Sequence, residues 1–128
     1  MGCDIHICVE KKIGDNWVML GRPGFRSPCE DRNYERFAAL AGVRGAGPAP
    51  RGLPDDISPA TKFWMDKYSD HSCSWLPMEE AAKIFLETSY YAGSKPDGYA
   101  QKYPCHHYFE IYDTEDPANY RIVFGFDS

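Results

Sequence analysis

The sequence predicts an α+β fold: a small antiparallel sheet of N- and C-terminal strands with two to three helices packed on one face. Three observations predict it. Residues 3–10 alternate strictly and are rich in β-branched side chains, and residues 120–126 are equally strand-like. Between them, residues 32–43 and the stretch from Pro77 carry apolar residues at helical spacing. Terminal strands with helices between them favour an antiparallel sheet with helices laid against it. A length of 128 residues with 43% apolar and 15% aromatic content fits one domain, residues 1–128, with enough apolar surface for a core.

Each element has its own signal. Along residues 3–10, Cys3, Ile5, Ile7 and Val9 share one face and Asp4, His6, Cys8 and Glu10 the other, which reads as a strand with one buried face. Gly14 and Asp15 mark a turn, and residues 17–20 return as the hairpin partner. Residues 21–28 read as loop. Asp31 is placed to cap a helix over 32–43, in which Tyr34, Phe37, Ala38 and Ala41 form the apolar stripe and Gly42 and Gly45 supply the stop. Residues 44–59 are dense in Gly and Pro; a loop of that length in a small domain reads as functional. Ser58-Pro59 opens a short helix through Trp64 and Met65, and the polar stretch 69–75 reads as loop. A further helix starts at about Pro77, with Glu79 and Glu80 near its positive end and Ala81, Ile84, Phe85 and Thr88 on its apolar side. After a Gly/Pro/Tyr-rich connection over 90–104, residues 106–112 and 120–126 read as strands joined by an acidic turn.

Charge and cysteine content exclude several classes. With 14 Lys and Arg against 19 Asp and Glu, the net charge of −5 argues against general nucleic-acid binding, whose affinity comes from neutralising phosphates. No apolar run suits a membrane span, and the N-terminal residues lack the basic and apolar regions of a signal peptide. Cysteines 3, 8, 29, 73 and 105 are odd in number and form no Cys-x-x-Cys pair, so a disulfide framework or zinc knuckle is not expected. The expectation is a cytoplasmic protein with reduced thiols. Met1-Gly2-Cys3 has His6 where an acylation signal wants Ser or Thr.

Chemistry-bearing residues fall in three places. Asp4 and His6 share a strand face, and Asp70-His71, followed by Ser72, offers a second carboxylate–imidazole pair. Together Asp4, His6, Asp70 and His71 form a candidate ligand set for a divalent zinc, manganese or iron ion. The polar outer face of an edge strand is the plainer reading of the first pair. Six of the seven arginines, Arg22, Arg26, Arg32, Arg36, Arg44 and Arg51, precede residue 52. Their planar forks suit phosphate or carboxylate. Arg32 and Arg36 read as structural, whereas Arg51 sits in the rigid frame Pro50-Arg51-Gly52-Leu53-Pro54-Asp55-Asp56 and reads as a ligand residue. Tyr108, Glu110 and Tyr112 share a face with His106 that suits base stacking and equally suits packing on a helix. No phosphate loop, dinucleotide fingerprint or serine elbow occurs.

These motifs together resemble a family of small phage and bacterial proteins without an established activity. The shared pattern comprises the opening Met1 to His6, the Arg-x-Tyr-x-x-Phe-x-x-Leu-Ala-Gly-Val-Arg helix from Arg32 to Arg44, and Pro-Arg-Gly-Leu-Pro-x-Asp from Pro50. It continues with Asp-His-Ser-x-Ser-Trp-Leu from Asp70 and Arg-x-Val-Phe-x-Phe-Asp from Arg121. The chain departs from it at Gly125, where a bulky aromatic is usual, and at Pro77, which replaces a polar cap. The resemblance implies a shared polar site and a role against host defence. On this reading Asp4, His6, Arg44, Arg51, Asp70, His71 and Ser72 bind a nucleotide-like or phosphorylated ligand, with the arginines on phosphate and the aspartates on ribose or base donors. The competing readings are a metal-dependent hydrolase of such a ligand, using the four-residue metal set, and an inhibitor of a host defence protein carried by the acidic turn Asp113-Thr114-Glu115-Asp116. Edge strands and aromatic content suit a homo-oligomer.

Overall fold

The computed structural model describes residues 2–21, 32–88 and 116–128. Among these, four strands form one antiparallel sheet: β1 (Asp4–Ile13), β2 (Asn16–Gly21), β3 (His71–Pro77) and β4 (Tyr120–Asp127), in the order β2-β1-β4-β3. The N- and C-terminal strands pair at its centre, with Asp4 opposite Asp127 and Lys11 opposite Tyr120. Three helices accompany them: α1 (Tyr34–Ala41), α2 (Pro59–Tyr68) and α3 (Met78–Glu87). The expected α+β architecture is therefore present. The expected strand at 106–112, its tyrosine face and most of the acidic turn lie outside the described residues, as does Asp31.

The sheet is covered on both faces. Ile5, Ile7 and Val9 of β1 and Ile122, Phe124 and Phe126 of β4 meet Phe37, Leu40 and Ala41 of α1 and Met78, Ala81 and Phe85 of α3, all buried. Each of the larger of these side chains contributes roughly 1.5–3 kcal/mol by leaving water, and the alanine methyls roughly 0.8 kcal/mol. These two helices lie on one face, as the sequence led one to expect. On the other face Cys8 and Val123, cross-strand partners, pack with Met65 of α2 and the partly buried Met19, Leu53, Ile57, Trp64 and Trp75. The alternate face of β1 is thus interior too: His6, Cys8 and Glu10 are all buried, correcting the expectation of a single buried face.

Local chemistry explains the helix ends. Asn33 caps α1, its Oδ1 accepting from the Arg36 amide at 3.0 Å, so the helix begins two residues later than predicted. Gly42 ends it in the left-handed conformation at φ 68°, where a Cβ would be strained. Arg36, 0% exposed, ties α1 to the end of α3. Its Nε donates to Thr88 Oγ1 at 2.9 Å, its Nη2 donates to the Thr88 carbonyl at 3.2 Å, and its guanidinium lies 4.4 Å from the Phe85 ring centre. The structural reading of Arg36 fits this environment. Arg32 instead pairs with Asp4.

The stretch 69–75, expected as loop, contains most of β3. Its polarity has a specific use: Ser74 is buried, and its Oγ accepts the Arg51 amide at 2.9 Å. A register shift between His71 and Ser74, with Ser72 at φ 55°, absorbs the irregular start of the strand. The Gly/Pro-rich stretch before α2 is anchored along β3 and over the sheet. Besides the Arg51 contact, the Gly52 amide donates to the Cys73 carbonyl at 2.9 Å and the Ser58 amide donates to Glu10 Oε2 at 2.9 Å.

Candidate functional site

The α2 side of the sheet carries two polar clusters, one at each end, separated by the apolar contact of Cys8, Val123 and Met65. Both arise from the alternation of β1. Positions 4, 6, 8 and 10 share this face, and antiparallel pairing sets Glu10 opposite Arg121, His6 opposite Gly125 and Asp4 opposite Asp127.

At the first end, His6 Nε2 is 2.8 Å from Asp127 Oδ2, and its ring lies 5.9 Å from that of Tyr68. Asp4 receives Arg32 through Nε at 2.7 Å and Nη2 at 3.2 Å. That hydrogen bond, aided by the charge of Arg32, holds the Asp4 carboxyl below the usual carboxylate range. Gly125 leaves room here for Ser69 and Cys73, whose Oγ and Sγ are 3.2 Å apart; a Cβ on Gly125 would meet Ser69 Oγ at 2.5 Å. Glycine at position 125 is thereby matched to its surroundings.

The second carboxylate–imidazole pair reaches the same end of the sheet but not the same face. His71 is the cross-strand partner of Phe126, whose ring it stacks against at 6.0 Å, on the side of α1 and α3. Its Nδ1 contacts Ser72 Oγ and its Nε2 contacts Ser128 Oγ, each at 3.0 Å. Asp70 is exposed, with Oδ1 3.9 Å from His71 Nε2. The sheet therefore separates His6 from His71, and the four-residue metal set is not assembled. Among the described residues no group of three or more His, Cys, Asp or Glu is arranged to hold a metal ion.

The second end holds the candidate site. Glu10 is 0% and Arg121 4% exposed; Arg121 Nε donates to Glu10 Oε1 at 2.7 Å and Nη2 lies at the same distance. Arg121 also reaches Asp56, through Nη1 to Oδ1 at 2.8 Å and Nη2 to its carbonyl at 3.3 Å. The Asp56 carboxyl is held below its ordinary range, chiefly by that hydrogen bond from Arg121. The guanidinium of Arg121 lies 4.1 Å from the Trp17 ring centre and 5.8 Å from that of Trp75. Arg51 approaches Trp75 as well, at 5.2 Å, and its Nη2 donates to Glu80 Oε2 at 3.1 Å. Trp17, Arg121, Trp75 and Arg51 thus form a chain of alternating indole and guanidinium contacts. Beside it lies a cavity of about 460 Å³ lined by Arg51, Leu53, Pro54, Asp55, Asp56, Trp75 and Arg121.

Of the predicted residues, only Arg51 lines this cavity. Arg44 does not join it: at φ 57° it follows α1 and sets its guanidinium 5.0 Å from the Tyr34 ring centre. The second arginine is Arg121, the one lying outside the N-terminal cluster. Glu10, Asp56, Trp17, Trp75 and Arg121 escaped sequence reading, although Glu10 shared the alternating face with Asp4 and His6 and Asp56 closed the rigid frame around Arg51. Among the described residues no helix is long and apolar enough to cross a membrane. Comparison of the chain with protein-family models, curated proteins and solved structures finds no match.

Proposed function

We propose that this chain is a small-ligand-binding protein that sequesters a nucleotide-like or phosphorylated signal molecule, in the counter-defence role implied by its resemblance to small phage proteins. One observation carries the reading: the Arg51 guanidinium and the Trp75 indole stand together at a cavity of about 460 Å³, a size suited to a small ligand. An indole offers a face for a planar ring, and a guanidinium offers a bidentate donor for phosphate. The rigid frame around Arg51 supports this use, because its amide and that of Gly52 are fastened to β3. The separation of His6 from His71 gives the metal-dependent hydrolase no comparable support.

Native mass spectrometry of freshly purified protein, repeated under denaturing conditions, tests the reading. The expected result is a retained phosphorylated mass that is released unaltered and is lost in Arg51→Ala. Retention of the same mass by Arg51→Ala, or release of a cleaved product, overturns it.

A further inference from the structure

The ionic state of the cavity narrows the ligand class. Its wall carries two guanidinium groups, Arg51 and Arg121, and two carboxylates, Asp55 and Asp56. Arg121 is committed: Glu10 and Asp56 together engage Nε, Nη1 and Nη2, and Glu10 is wholly buried behind it. Releasing Arg121 to a ligand would strand that buried carboxylate. Arg51 is in a different position. Its carboxylate partner is Glu80, in the first turn of α3, and both side chains are well exposed, at 39% and 53%. An ion pair in such contact with water contributes little and exchanges readily. Among the described residues the site therefore offers one exchangeable guanidinium, next to an indole, and faces any additional negative charge with Asp55 and Asp56.

We propose, building on the ligand-binding reading above, that Glu80 occupies the place of a single phosphate, and that the cavity selects a planar ligand bearing one anionic group, of the nucleoside monophosphate class. The incoming phosphate displaces the Glu80 carboxylate from Arg51 while the ring packs against the Arg51–Trp75 contact. A polyphosphate is disfavoured, because its further charges find Asp55 and Asp56 and, among the described residues, no second available arginine. Glu80 is thus a specificity-determining residue that competes with the ligand from within the chain.

Titration of the intact chain by tryptophan fluorescence and calorimetry, with metal chelated, tests this with adenosine and uridine, their 5′-monophosphates and their 5′-triphosphates. A monophosphate is expected to bind at least about tenfold more tightly than its nucleoside or triphosphate. Glu80→Gln is expected to tighten the monophosphate by about three- to tenfold while leaving the nucleoside unchanged, since only the former must displace a carboxylate. Arg51→Ala should erase the difference between monophosphate and nucleoside. A triphosphate that binds as tightly as the monophosphate, or an unchanged monophosphate affinity in Glu80→Gln, overturns the single-phosphate assignment while leaving the ligand-binding reading standing. Absence of binding by every probe up to about 1 mM, in both the natural chain and Glu80→Gln, overturns the assignment and the reading together.

Discussion

Replacing Arg121 by Met removes the guanidinium at the centre of the candidate site while retaining much of its alkyl volume. Glu10 would remain 0% exposed, left with the Ser58 amide at 2.9 Å after losing Arg121 Nε and Nη2. An uncompensated buried carboxylate of this kind costs about 3–5 kcal/mol. Glu10→Gln is the informative control. It keeps the volume and an acceptor for Ser58, and Arg121 retains Asp56 Oδ1, so the expected cost is about 1–2 kcal/mol. With an unfolding entropy of roughly 2.1 cal/mol/K per residue over 128 residues, each kcal/mol shifts Tm by about 4 °C. Arg121→Met should therefore fall by roughly 11–19 °C and Glu10→Gln by roughly 4–7 °C. The double variant, which buries neither charge, should cost less than the two single changes combined by at least about 1 kcal/mol. Urea unfolding followed by tryptophan fluorescence and circular dichroism gives these values. Because the pair is shielded from solvent, the Arg121→Met deficit should change little between about 0.1 and about 0.5 M salt. Equal losses from the two single variants, or strict additivity in the double, would refute the reasoning.

Two further outcomes follow from the same face of the sheet. Asp4 and Asp56 carry carboxyls held below their ordinary range, so the folded chain binds their protons less readily than the unfolded chain. Their stabilisation is present above the unfolded value of about 3.9 and is lost as pH falls through the lower folded values. The urea midpoint of the natural chain should drop between about pH 5 and about pH 3, and the Asp4→Asn/Asp56→Asn variant should show a flatter drop there; identical acid slopes would contradict the assignment. Gly125→Ala would drive a Cβ to 2.6 Å from Ser69 Cβ and 2.9 Å from Cys73 Sγ, at a cost of about 1–3 kcal/mol. Thermal denaturation should show that cost shrinking in a Ser69→Gly background, and an unchanged cost would count against the steric account.

The elements that announced themselves in the sequence are those whose signals are local. Alternation marked β1, the Gly42 stop marked the end of α1, and Ser58-Pro59 marked the start of α2. β3 is hidden in the sequence because its polar residues suggest solvent exposure. Ser74 is polar for the sake of an amide 23 residues away, a partner that no window of sequence contains. The candidate metal set failed for a related reason. Period two correctly aligned Asp4 with His6, but whether His71 joined them depended on its pairing with Phe126, which placed it on the opposite face.

Arg51 is legible in the sequence for the same reason that the rest of its site is not. A guanidinium in a Pro/Gly frame is visible in sequence because rigidity is a local property. The charge that makes Arg121 unavailable comes from Glu10, 111 residues earlier, and the carboxylate that holds Arg51 comes from Glu80, 29 residues later. A polar residue on a strand has two stable destinations, water or a buried partner of opposite charge, and alternation cannot choose between them. For β1 the choice was made by α2 and the Gly/Pro-rich stretch before it, which cover that face and supply Asp56 and the Ser58 amide. The covering that turned a predicted outer face into an interior one is therefore also what built the cavity, since Leu53, Pro54, Asp55 and Asp56 belong to both.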